Sequence, residues 1–171
     1  MRNEKENILL EGCRNLEPRA QKRLYDAYKN CMFTICMRIT GNYEEARDAL
    51  QDGFISVFND ISKFRGESSL GAWIKTIIIR AALKRLKPVS FIASDEIPDA
   101  PVEWDSEFTG EELQKAIWAL PEGYRVVFIM FEVEGYSHTE IADILHISEG
   151  TSKSQLHYAK KKLKELLKSY R

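Results

Sequence analysis

The chain has 171 residues, long enough for one medium domain or two small ones, and 44% of them are hydrophobic, which lets either half bury a core. A formal net charge of −1 removes any argument for nucleic-acid binding from overall basicity, so the local distribution of charge has to carry that case. No stretch approaches the roughly 20 apolar residues of a membrane span. The polar opening Arg2-Asn3-Glu4-Lys5-Glu6-Asn7 is not a secretion signal, so a cytoplasmic protein is expected.

The elements expected in chain order are all helices, giving an all-α fold. A short first helix, about Glu4 to Arg14, should turn Ile8, Leu9 and Cys13 inward. Pro18 suits the first turn of a second helix, where its missing N–H is no loss. Leu24, Tyr28, Cys31, Ile35 and Ile39 recur along it at helical spacing until Gly41-Asn42. The third helix, about Glu44 to Ile61, carries Ala46, Leu50, Phe54, Val57, Phe58 and Ile61 on one side. A polar loop, Arg65-Gly66-Glu67-Ser68, leads into a fourth helix from Ser69 or Leu70 to Lys87, ended by Pro88. Cys13, Cys31 and Cys36 all fall in apolar helical patterns without metal-ligand spacing, so reduced, buried thiols are expected.

The stretch from Val89 to about Phe108 is acidic, contains proline and has no periodicity, which reads as a linker. The domains expected are therefore residues 1–88 and 109–171, joined by 89–108. Thr109 with Glu112 is a capping-box pattern opening a helix through Leu113, Ile117 and Leu120, and Pro121 starts the next, with Tyr124, Val127, Phe128 and Phe131 inward until Gly135. Ser137 with Glu140 repeats the pattern before Ile141, Ala142, Ile144 and Leu145. Ser148 caps the last helix soon afterwards. Two capped helices joined by so short a turn form a helix-turn-helix. On the second of them Ser152, Leu156, Ala159, Leu163 and Leu167 share one side. Thr151, Ser154, Tyr158 and Lys161 lie opposite, flanked by Gln155, His157 and Lys162. A recognition helix needs that division, with a buried stripe and short polar side chains near its N-terminus to reach base edges.

Charge segregates along the chain. Residues 72–87 hold five basic side chains and no acid, residues 153–171 hold seven against Glu165 alone, and residues 88–114 hold eight acids and no base. Two positive surfaces separated by a negative strip fit phosphate contact at two places. His138, His146 and His157 are scattered through the helix-turn-helix without a nucleophile, and no glycine-rich loop follows a strand, so no enzyme is expected.

Asp48-Ala49-Leu50-Gln51-Asp52-Gly53-Phe54, Phe64-Arg65-Gly66-Glu67-Ser68-Ser69 and Ala72-Trp73-Ile74 resemble region two of the extracytoplasmic-function (ECF) sigma factors. Leu120-Pro121, Tyr124-Arg125, Glu134-Gly135-Tyr136-Ser137, Glu140-Ile141-Ala142 and Ile147-Ser148-Glu149-Gly150-Thr151 resemble their region four. The resemblance implies a non-enzymatic subunit that needs no cofactor, metal or small-molecule substrate. Its partners would be core RNA polymerase, through the clamp coiled coil and the flap, promoter DNA, and an anti-sigma factor, either soluble or membrane-bound. It places Asp48, Gln51, Asp52 and Phe54 on the polymerase-binding helix. Phe64, Arg65, Ser68, Ser69, Trp73, Lys75, Arg80 and Lys84 would hold single-stranded minus-ten DNA. Ser148, Thr151, Lys153, Ser154, Gln155, His157, Tyr158 and Lys161 would meet duplex minus-thirty-five DNA. Where the family often has an apolar residue stands Ser152, and Gln155 and Tyr158 replace basic ones, so a shifted promoter preference is expected. Asp95, Glu96, Asp99, Glu103 and Asp105 would be either a solubilising linker or a phosphate mimic in the polymerase channel.

Overall fold

The computed structural model describes residues 4–86, 91 and 108–169, which are helical with no strand among them. The chain separates into two compact units, Met1–Leu86 and Lys87–Arg171. The expected linker, residues 89–108, lies outside the described residues except for Phe91 and Phe108, and its acids lie outside them too.

The first unit contains α1 (Glu4–Arg14), α2 (Pro18–Thr40), α3 (Tyr43–Asp60), a single 3₁₀ turn (Ile61–Lys63) and α4 (Leu70–Leu83). Local chemistry sets the boundaries. Pro18 occupies the first turn of α2, and Gly41 closes that helix in the left-handed region at φ 66°, its N–H donating to the Met37 carbonyl at 2.9 Å. Asn42 Oδ1 accepts the Glu45 N–H to start α3, and Ser69 Oγ accepts the Ala72 N–H to start α4. Leu24, Ile35, Ile39, Val57, Leu70, Ile74 and Ile78 form the core where α2, α3 and α4 meet. At Gly53 the backbones of α3 and α4 come close, since a Cβ there would stand 2.5 Å from Ile78 Cδ1 and 3.3 Å from its Cα. Three details depart from expectation. Ile8 is 66% exposed because α1 buries Leu10, Gly12 and Cys13 instead, the side set by its contact with α2. Cys31 is exposed, on the face of α2 away from α3 and α4, whereas Cys13 and Cys36 are buried and desolvation pushes the Cys36 thiol to about 12. Finally, α4 gives way to a turn at Lys84, before the proline at 88.

The second unit contains α5 (Gly110–Trp118), α6 (Glu122–Phe128), α7 (His138–Leu145) and α8 (Glu149–Lys168). Thr109 with Glu112, and Ser137 with Glu140, form complete capping boxes. Sequence periodicity does not reveal that α6 runs on as a π-helical turn, Ile129–Val133, which rotates Phe131 against His138 with ring centroids 4.4 Å apart. Val126, Val127, Ile129, Met130, Ile141, Ala159 and Leu163 make the core, with α8 packed against α5, α6 and α7. Arg125 is buried against the end of α5, where its guanidinium donates to the Trp118 carbonyl at 3.2 Å and the Leu120 carbonyl at 3.4 Å.

Candidate polymerase and promoter interfaces

The helix-turn-helix is α7 and α8. His146 closes α7 in the left-handed region at φ 56°, the Ile147 N–H reaches back to the Ala142 carbonyl, and Ser148 Oγ accepts the Thr151 N–H to open α8. The N-termini of both helices are tied together twice, by His138 Nδ1 and Ser152 Oγ at 2.9 Å and by Thr139 Oγ1 donating to Glu149 at 2.8 Å. Ser152, buried on the side of α8 that its spacing predicts, thus serves as a polar link between the helices. Burial and the neighbouring Lys153 hold the His138 imidazole below the usual histidine value, which favours its neutral form.

The solvent side of α8 is rotated from the expected one. Lys153 and Lys161 are exposed, His157 is half-buried between them, and Ser148 is exposed at the N-cap. Thr151 and Tyr158 are half-buried, Thr151 bonded to Ser148 and Tyr158 stacked on Tyr124 of α6 with centroids 6.1 Å apart. His157 in turn meets the Tyr158 ring edge-on at 5.6 Å, so its ring is braced from the side. Ser154 and Gln155, expected to face DNA, are buried at 0% and 1% exposure. With α5, α6 and α7 all packed on α8, the buried arc is wider than one apolar stripe, and it takes in these polar positions. Ser154 turns its hydroxyl onto the Thr151 carbonyl at 3.0 Å.

In the first unit the loop before α4 presents Arg65, Ser68 and Ser69 to solvent, with Gly66 at φ 78° making the bend. Phe64, expected to meet an unstacked base, is 3% exposed, because its ring packs 5.2 Å from Trp73 and anchors the loop. Arg14 fixes the same point by donating to the Phe64 carbonyl at 3.1 Å. The half-buried Trp73 and residues 63–68 line a small, open pocket of about 210 Å³, room for one planar ring. On α4, Lys75 is half-buried and Arg80 and Lys84 are exposed.

On α3 the outward edge carries Gln51 and Asp52, exposed, and Asp48, partly so. Phe54, on the apolar side of α3 by its spacing but counted among the polymerase-binding residues by the resemblance, is a core residue at 3% exposure, its ring edge-on to Tyr25 at 4.8 Å. The apolar side chain that does face out is Ile55, 52% exposed, beside a cleft that Tyr25, Leu50 and Phe58 also line. Sequence reading also passed over Arg85. Its guanidinium donates to Asp52 at 2.6 Å and lies 3.8 Å from Asp48. A run of basic residues signalled a positive segment, but not that one member folds back on α3.

Residues 24–88 match the family model for Sigma-70 region 2, and residues 110–163 match that for Sigma-70, region 4. The ECF RNA polymerase sigma factor SigW of Bacillus subtilis is 26% identical over 163 residues, spanning 85% of this chain and 87% of that protein. SigM of Mycobacterium tuberculosis, also an ECF RNA polymerase sigma factor, is 30% identical over 127 residues, 72% of this chain and 65% of the relative. Among solved structures, the sigma factor RpoE of Bartonella quintana, crystallised with the anti-sigma factor NepR, has a similar fold, with a TM-score of 0.61 at 23% identity over 88% of this chain and 98% of that one. With both regions matched in order, and with relatives of one kind across most of its length, the chain belongs to the sigma-70 family as an ECF RNA polymerase sigma factor.

Proposed function

We propose that each unit carries one half of promoter recognition, residues 1–88 engaging polymerase and the minus-ten element, and residues 109–171 the minus-thirty-five element. Asp48, Gln51, Asp52 and the exposed Ile55 on α3 offer carboxylates, an amide and one apolar contact to a basic partner surface on the polymerase clamp. Arg65, Ser68 and Ser69, the Trp73 pocket, Lys75, Arg80 and Lys84 hold the unpaired strand through a ring-sized cavity and cations for its phosphates. On α8 the base-reading positions are Ser148, Lys153 and His157, with Lys161 further along for phosphate. Thr151 and Tyr158 support them from the side.

The observation that carries this reading is the pairing, in one chain, of an accessible acidic edge on α3 with a braced, basic solvent face on α8. An operator-binding regulator would use the second and have no use for the first. The subunit works without chemistry of its own, in the cytoplasm. No helix among the described residues is long and apolar enough to cross a membrane. Control falls to an anti-sigma factor, by analogy with the B. quintana relative crystallised with one. Selection from random duplex DNA with holoenzyme reconstituted from this chain tests the proposal. Enrichment of two separate elements at fixed spacing is expected; a single inverted repeat, or binding that does not depend on core enzyme, would refute it.

A further inference from the structure

Arg85 sits in the turn that follows α4, and its guanidinium closes on two carboxylates one helical turn apart on α3, Asp52 at 2.6 Å and Asp48 at 3.8 Å. These are the acids of the proposed polymerase-docking edge, so in the free chain that edge already holds a cation of its own. Arg47, on the same helix, lies 3.8 Å from Asp48 but is drawn to Glu44 at 2.7 Å. Arg85 is the one of these two cations that comes from outside α3. Arg80 and Lys84, just before it, line a groove between α3 and α4 together with Asp52 and Asp60. The docking acids and the DNA-contacting cations therefore meet at a single seam.

We propose that Arg85 is exchanged between two anions: it is held by Asp48 and Asp52 in the free chain, and released to a promoter phosphate beside Arg80 and Lys84 when basic groups of polymerase take over those carboxylates. The chemistry favours exchange. A guanidinium fork matches carboxylate and phosphate equally well. The Arg85 side chain is about one-third exposed and its Asp52 partner more so, so water and salt screen the pair and little is lost on opening it. Docking then turns a neutralised seam into a cationic one. DNA affinity rises only once polymerase is bound.

The inference rests on the reading of Asp48 and Asp52 as docking residues, and the experiment separates the two. Core-enzyme affinity of the full chain is measured for wild type, Arg85→Gln, Arg85→Lys and the double variant Asp48→Asn/Asp52→Asn, and binding of a minus-ten single strand is measured for each holoenzyme across a salt series. The docking reading expects the double asparagine variant to lose core affinity; if it does not, that reading fails. Exchange expects Arg85→Gln to tighten core binding by about two- to fivefold, as a competitor is removed. The same variant should weaken single-strand binding by about three- to tenfold and flatten its salt dependence by about one phosphate contact. Arg85→Lys keeps the charge, so it should restore most of the strand affinity and the salt slope. If Arg85→Gln weakens core binding, leaves it unchanged, or leaves strand binding intact, the exchange is refuted, whatever the asparagine variants do. Thermal melting of each variant identifies any general loss of fold, and Arg85→Met, which keeps an apolar stem without the charge, then carries the same comparison as Arg85→Gln.

Discussion

Lys153 and His157 stand one helical turn apart on the solvent side of α8, while Gln155 between them turns inward. Two residues along a helix is a rotation of about 200°, so the three cannot share a face, and burial decides which are open to solvent. Replacing Lys153 or His157 with alanine should weaken binding to the preferred minus-thirty-five duplex by about 1–3 kcal/mol, read as an affinity loss by fluorescence anisotropy. Gln155→Ala should instead lower the melting temperature, with base preference unchanged; a changed preference in that variant would put Gln155 back on the DNA side. His138 supplies a pH effect. Burial, then Lys153, lower its pKa, Lys160 adds to this, and Glu149 and Glu132 oppose it. With the folded value below the ordinary 6.5, the unfolded chain takes up the proton first as pH falls. Stability from this site is therefore present above about 6.5 and is lost as pH drops through the folded value. Melting curves at pH 7.5 and 5.5 should diverge less for His138→Gln than for wild type, and equal divergence would remove His138 as the cause.

At the scale of elements, the helices and their caps were largely legible because they rest on local chemistry. Thr109, Ser137 and Ser148 each accept the N–H expected of a cap, and Asn42 and Ser69, read from the sequence only as helix boundaries, cap α3 and α4 in the same way. Less legible was which polar residues a helix buries, since that depends on how many neighbours it has. Periodicity gives α8 a single stripe, but three packed helices cover a wider arc that takes in Ser154 and Gln155. Phe54 and Phe64 were misplaced for a related reason. Aromatic residues in a functional motif invite a contact role, yet here Phe54 packs in the core against Tyr25 and Phe64 anchors its loop against Trp73. The π turn after α6 and the Arg85 pair with α3 come from tertiary packing and leave no local signal. Gly53 tests the α3–α4 seam directly. Gly53→Leu inserts a side chain where even a Cβ meets Ile78, and should cost about 1–3 kcal/mol of stability in denaturant unfolding, despite leucine's better helix propensity. An unchanged midpoint would mean the two helices are not held at that distance.

For the whole molecule, the net charge of −1 conceals the property that matters, because positive and negative side chains are separated by segment. On the proposed function, one unit offers its acidic edge to polymerase beside a cationic helix, the other offers a braced basic face to duplex DNA, and neither alone would select and open a promoter. Run-off transcription with purified core enzyme, on a promoter carrying the selected elements, puts both units to work in one reaction. A specific transcript is expected with the intact chain, severely reduced by Asp48→Asn/Asp52→Asn and by Lys153→Ala/His157→Ala. Transcription that is independent of the chain, or unaffected by both double variants, would contradict the division of labour between the two units.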